Sequence, residues 1–98
     1  MSGGPSQPKV VDEDWSDERV VSFLSLKPFD ATDPDYHVLC KAYEHMIEEN
    51  FARFVSAFVA AGRNLNACNA RGESFLTHVR QHRRSSGYAG ILVNAGAR

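Results

Sequence analysis

Phe51, Phe54, Val55, Phe58 and Val59 fall at offsets 0, 3, 4, 7 and 8, and the run then meets Gly62. Side chains so spaced share one face of an α-helix, because about 3.6 residues complete a turn. A strand would split the same five residues between its two faces, since alternate side chains point to opposite sides. Glycine just past the run supplies the left-handed residue on which many helices end. The chain therefore contains at least one amphipathic helix, and the other segments must cover its apolar face.

Those segments are legible as further helices. Ser16 ahead of Asp17 and Glu18 offers a hydroxyl cap and two carboxylates to the positive end of a helix. This short helix, carrying Val20, Val21, Phe23 and Leu24, should stop before Pro28, because the residue preceding a proline avoids helical geometry. Asp33-Pro34 is a second start signal, a carboxylate cap with proline where no N–H is needed. Tyr36, Leu39, Cys40, Tyr43 and Ile47 then mark one face, and a break is expected near Glu49-Asn50. After Gly62 the polar stretch "RNLNACNARGES" should connect, with Asn69-Ala70-Arg71-Gly72 as a tight turn. Two shorter helices, about 74–82 and 86–95, complete an all-α chain of about five helices. Residues 1–14 mix Gly, Pro, Ser and charge without periodicity and are expected to be a disordered tail. The remainder, 15–98, reads as one helical domain.

An echo adds a constraint. "FVAAG" ends at Gly62 and "LVNAG" at Gly96, 34 residues later, so Phe54 aligns with Tyr88, Phe58 with Leu92 and Val59 with Val93. A period in the low thirties with a helix pair per unit marks a solenoid. Here residues 51–98 resemble the ankyrin repeat: Ala61-Gly62 as the helix end, Asn66-Ala67 as the outgoing arm, Gly72 as the turn glycine, and Ser74 to Thr77 where that family starts its next helix. Phe75 in place of the family's proline, Thr77 in place of its histidine, Val79-Arg80 in place of a small alanine pair and one extra residue per period depart from the pattern. The resemblance implies antiparallel helix pairs, 35–62 and 63–98, stacked behind a capping segment, 15–34. It also implies partners at the turn tips and the exposed face of each first helix, which match Asn69, Arg71, His78 and His82, with Arg83 at the rim. More broadly the chain resembles a family of small, uncharacterised proteobacterial proteins at Asp35-Tyr36-His37, Phe51-Ala52-Arg53-Phe54, Ala61 to Leu65, Arg71-Gly72 and Ala95-Gly96-Ala97, a likeness that implies no activity.

Charge is unevenly placed. Residues 1–50 hold four basic and eleven acidic side chains, and residues 51–98 hold seven arginines and one glutamate. Such a split lets the halves attract each other within or between chains, or steers an acidic partner to the C-terminal half. "RQHRR", with Arg80, Arg83 and Arg84 around His82, is the densest basic run. Guanidinium groups suit carboxylates because their planar donors engage two oxygens at once. The near-neutral total and the lack of aromatic residues around this run argue against nucleic acid as the ligand. The "MSGGPSQPKVV" start has no long apolar run of a secretory signal, and no stretch reaches spanning length, so a cytoplasmic location is expected. Cys40 and Cys68 fit neither a disulfide framework nor a four-ligand zinc spacing and are read as reduced.

Chemistry is the weaker alternative. His78 and His82 stand four apart on a helix, the spacing at which two imidazoles can share a metal, but no third ligand follows. His37, Cys40 and Glu44 also share a stripe, with Cys40 inside the apolar run. Ser74 and His78 in "GESFLTH" suggest a serine nucleophile and base, yet the strand and third residue that such a site needs are missing from the pattern. The expectation is a non-enzymatic protein-interaction module without cofactor, binding an acidic segment through Asn69, Arg71, His78, Arg80, His82 and Arg83. The alternatives are a metal or hydrolytic site at His78 and His82, or weak nucleic-acid binding through residues 80–84.

Overall fold

The structure, a computed structural model, describes residues 15–82 and 86–98. The expectations for the 1–14 tail and for Arg83 and Arg84 lie outside the described residues. Helix α1 spans Asp17–Ser22 and runs into a single 3-10 turn, Phe23–Ser25. It is followed by α2 at Pro34–His45, α3 at Glu48–Ala60, α4 at Phe75–Arg80 and α5 at Ser86–Asn94. The fold is all-α, and among the described residues there is one isolated antiparallel bridge, between Cys68 and Ser74.

Caps set most of the boundaries. Ser16 Oγ accepts from the Arg19 N–H at 3.1 Å, Asp33 Oδ1 from Asp35 at 2.8 Å and Tyr36 at 3.2 Å, and Ser74 Oγ from Thr77 at 3.2 Å. Each satisfies N–H groups that have no partner in a first helical turn. The junction between α2 and α3 falls earlier than expected. The break is at Met46-Ile47, and Ile47, expected on the face of α2, is the extended residue ahead of α3. Glu48 and Glu49 occupy the first turn of α3, where their charge favours a helix N-terminus. Asn50, where the break is expected from the sequence, is instead buried inside that helix and accepts from Arg53 at 2.7 Å, while Glu49 is exposed.

Both glycine-terminated helices close in the same way. Gly62, at φ +77°, donates to Val59 O at 2.9 Å, and Arg63 donates to Phe58 O at 3.3 Å. Gly96, at φ +109°, donates to Val93 O at 3.0 Å, and Ala97 donates to Leu92 O at 2.9 Å. These two crossed bonds form the Schellman closure, which needs a positive φ that only glycine adopts without strain. The equivalence extends to the side chains: Phe58 and Leu92 are both fully buried, and Val59 and Val93 are both partly exposed, at 43% and 44%. Val59 therefore belongs at the edge of the apolar stripe rather than inside it.

The core joins all the helices. Phe51, Phe54 and Phe58 of α3 are fully buried with Leu39 of α2, Met46, Phe75 and Val79 of α4 and Leu92 of α5. Helix α2 packs on α3 and α4, and α5 packs on α3 and α4, while α1 lies on α3 and the 3-10 turn on α2. Tyr43 and Tyr88 meet edge-to-face with ring centres 5.1 Å apart, a geometry that aligns a ring edge with a π face. Tyr88 also donates from its hydroxyl to the Met46 carbonyl at 2.6 Å, fastening α5 to the junction between α2 and α3.

Two arginines lock the N-terminal segment onto this core. Arg53 donates to the Trp15 carbonyl at 2.6 Å and pairs with Asp17. Arg63 donates to Asp35 at 2.7 Å and to the Leu24 carbonyl at 2.6 Å, and the second Asp35 oxygen accepts the Asn64 N–H at 2.8 Å. Part of the charge asymmetry between the halves is thus satisfied inside one chain.

Candidate functional site

The connection from α3 to α4 is built around Asn69. Its Oδ1 accepts the N–H of Arg71 at 2.9 Å and of Glu73 at 3.0 Å, which bends the backbone into an Asx turn. Gly72, at φ +80°, donates to Asn69 O at 2.9 Å, so the tight turn is at residues 69–72 as expected from the sequence. The Asn69 amide also donates to Glu73 at 3.1 Å and to the Tyr36 hydroxyl at 3.4 Å. Asn69 shapes the turn, and Arg71 beside it is exposed. Arg71 and Arg80 form no guanidinium hydrogen bond or ion pair with the described residues.

Helix α4 brings the two histidines together. Their rings stand 5.1 Å apart, edge-to-face, and His82 Nδ1 lies 3.1 Å from the His78 carbonyl. With that carbonyl as acceptor, Nδ1 is the protonated nitrogen of His82. His78 is half-buried against Phe75, Tyr43 and Tyr36, with ring centres 5.9, 6.2 and 6.3 Å away. Burial lowers its pKa below the ordinary imidazole value, and the neighbouring His82 lowers it further. Tyr36 is the link between the two parts, touching Asn69 through its hydroxyl and His78 through its ring.

The chemical alternatives find little in this geometry. Ser74 Oγ caps α4 and lies 3.1 Å from Thr77 Oγ1, an arrangement suited to a helix start. Among the described residues no group of three or more His, Cys, Asp or Glu side chains is placed to hold a metal ion, and this covers the His37, Cys40 and Glu44 stripe as well as His78 and His82. Cys40 is half-buried, and burial raises its thiol pKa to about 11, so it stays protonated at neutral pH. Both cysteines are free thiols.

A second surface was not apparent from the sequence. Trp15 and Phe23, with ring centres 5.6 Å apart, floor a groove of about 450 Å³ on the far side of α2 from α4. Lys27, Phe29 and the Arg19 guanidinium, which lies 3.8 Å over the Trp15 ring, line one part of it. His37, Lys41 and His45, spaced by four along α2, line the other. Three of the four basic residues in the first fifty thus converge on one groove within a half that is acidic overall. Summing charge along the chain hid them. The signal available was the four-residue spacing of His37, Lys41 and His45, opposite the apolar face of the same helix.

Comparison with known proteins finds no protein-family model, no curated protein and no solved structure that matches this chain. No helix among the described residues is long and apolar enough to cross a membrane.

Proposed function

We propose that the chain is a non-enzymatic protein-interaction module of ankyrin-like design, which binds an acidic segment through the turn at residues 69–72 and the exposed side of α4. The observation that carries this reading is Arg71. A rigid turn, held by two bonds to Asn69 Oδ1, presents an exposed guanidinium with no carboxylate engaged among the described residues. Fixing the backbone in advance lowers the ordering cost of binding. Arg80 adds a second exposed cation on α4. The ankyrin-like part of the reading is supported by the matched Schellman closures at Gly62 and Gly96 and by the packing of α2 on α4 and of α3 on α5. Asn69 acts within this surface by shaping it, and His78 by packing beneath it.

Titration with a glutamate-rich peptide, followed by NMR, tests the proposal. Shifts at the Arg71 and Arg80 side chains, lost in Arg71→Glu/Arg80→Glu, are expected. Absence of shifts at both arginines would overturn it. A single-stranded oligonucleotide that bound more tightly than the peptide, with the steep salt dependence of phosphate contacts, would replace the acidic segment with nucleic acid. Zinc shifting only the His78 and His82 rings at micromolar concentration would favour the metal alternative.

A further inference from the structure

The aromatic groove beside α1 combines features that together specify a ligand. Its floor, Trp15 and Phe23, is apolar, and Phe29 on its rim is 106% exposed, with Leu26 also exposed at 39%. A phenylalanine held in water on a loop forfeits the gain of burial, about 25 cal/mol for each Å² of apolar surface. Exposed aromatic residues beside a recess are the usual anchors of protein interfaces. Around this apolar surface stand the cations of Arg19, Lys27 and Lys41, with two imidazoles, and among the described residues the lining contains no carboxylate. Lys41 has one weak partner, Glu44 at 3.8 Å, and both side chains are largely exposed, so an incoming carboxylate can take its place.

We propose that this groove is a docking site for an acidic protein segment, which places an aromatic or branched apolar side chain among Trp15, Phe23 and Phe29 while its carboxylates meet Lys27 and Lys41. A protein segment fits better than a small organic anion. Pockets for small molecules enclose most of the ligand surface, whereas this recess is open along the loop that carries Phe29. A bare acidic chain would satisfy the cations and leave the aromatic floor wet. The apolar anchor is therefore part of the specification. The site is separate from the Arg71 turn and does not depend on the function proposed for it: α2 lies between the two, its Tyr36 and Tyr43 packing against α4 while His37, Lys41 and His45 line the groove.

Trp15 is the chain's single tryptophan, so intrinsic fluorescence reports on the groove directly. The full-length protein would be titrated with a synthetic peptide carrying one phenylalanine between two pairs of glutamates. Controls are an all-glutamate peptide and the phenylalanine peptide with glutamine for glutamate. A shift of Trp15 emission that saturates with the first peptide and is at least about tenfold weaker with either control is expected, since losing an anchor or its charge partners costs upward of 1.4 kcal/mol. Lys27→Glu/Lys41→Glu should abolish the shift with unchanged far-ultraviolet circular dichroism. Phe29→Ala, at a fully exposed position that cannot unsettle the core, should weaken binding severalfold. Equal binding of the phenylalanine and all-glutamate peptides would overturn the proposal. So would a Trp15 response to anionic vesicles without one to the peptide, or a response that follows protein concentration alone, which would assign the groove to a lipid surface or to a second copy of the chain. Loss of binding in Arg71→Glu/Arg80→Glu with Lys27→Glu/Lys41→Glu unaffected would place the peptide on the turn and refute the groove.

Discussion

Arg53 and Arg63 reach back to the N-terminal segment, while Arg71 and Arg80, on the turn and on α4, are exposed and engage no described carboxylate. All four contribute equally to the positive sum of the C-terminal half. In the fold they do different work. The first pair closes the molecule by satisfying Asp17, Asp35 and the carbonyls of Trp15 and Leu24. The second pair is left on the surface. A charge imbalance between two halves of a chain can therefore be partly an internal fastening and partly a binding face, and only the placement of each partner separates the two.

Arg63→Met should break this comparison most visibly if it is wrong. The substitution keeps much of the side-chain volume but removes the donors to Asp35 and Leu24 O and the stacking of the guanidinium 5.6 Å from the Phe58 ring. Asp35 and Arg63 are both mostly buried, at 24% and 21% exposure, so hydrogen bonds to charged groups here should be worth about 1.5–3 kcal/mol. Arg71→Met, at an exposed position, should stay within about 0.5 kcal/mol of the parent. Urea denaturation of the two variants is the measurement, and equal midpoints would remove the distinction.

A smaller loss is expected from Gly62→Ala, which tests how the chain is steered from α3 toward the turn. A Cβ at Gly62 would meet no atom within 4 Å, so the cost is that of a left-handed backbone alone. For a residue other than glycine that cost is about 1–2 kcal/mol. Because Arg63 follows directly, the variant should also weaken the Asp35 contact, seen as altered NMR shifts at Asn64 and Asp35. Stability unchanged from the parent would mean that the Schellman closure is not what positions Arg63.

The sequence carried these features unequally. Helix starts at Ser16, Asp33 and Ser74, the glycine closures and the 69–72 turn were legible because each depends on local chemistry that one or two residues announce. The junction at Met46-Ile47 was not, because Ile47 extends the periodicity of α2 by one more turn and Asn50 reads as a loop residue. Arg53, one turn on in the same helix, donates to it, and only the fold brings that arginine onto the Trp15 carbonyl as well. Of the candidate surface, Arg71 and Arg80 are exposed, whereas the bond from the Asn69 amide to the Tyr36 hydroxyl, thirty-three residues away in the chain, needed the fold to bring the two together. The aromatic groove required α1, the 3-10 turn and α2 to meet. No stretch of sequence contains it.

The smallest effect concerns His78, which packs beneath the surface on which Arg71 and Arg80 are exposed. Burial and His82 both lower its pKa, while Glu73 and Glu44 act in the opposite direction more weakly. In the unfolded chain the imidazole has its ordinary pKa of about 6.5, so the unfolded state binds the proton first as pH falls. Protonation then favours unfolding: stability contributed by neutral His78 is complete above about pH 6.5 and declines below it, until the folded state also takes up the proton. The ring is only half-buried, so the decline should be shallow. Denaturation midpoints measured from pH 7.5 to 5 should fall less in His78→Phe than in the parent, because phenylalanine keeps the ring contacts with Tyr36, Tyr43 and Phe75 and cannot bind a proton. Arg71→Met should reproduce the parent slope, since it leaves the ring contacts of His78 in place. A slope unaltered by His78→Phe would assign the pH dependence to other groups and place His78 with the exposed residues of the surface rather than with the packing that supports it.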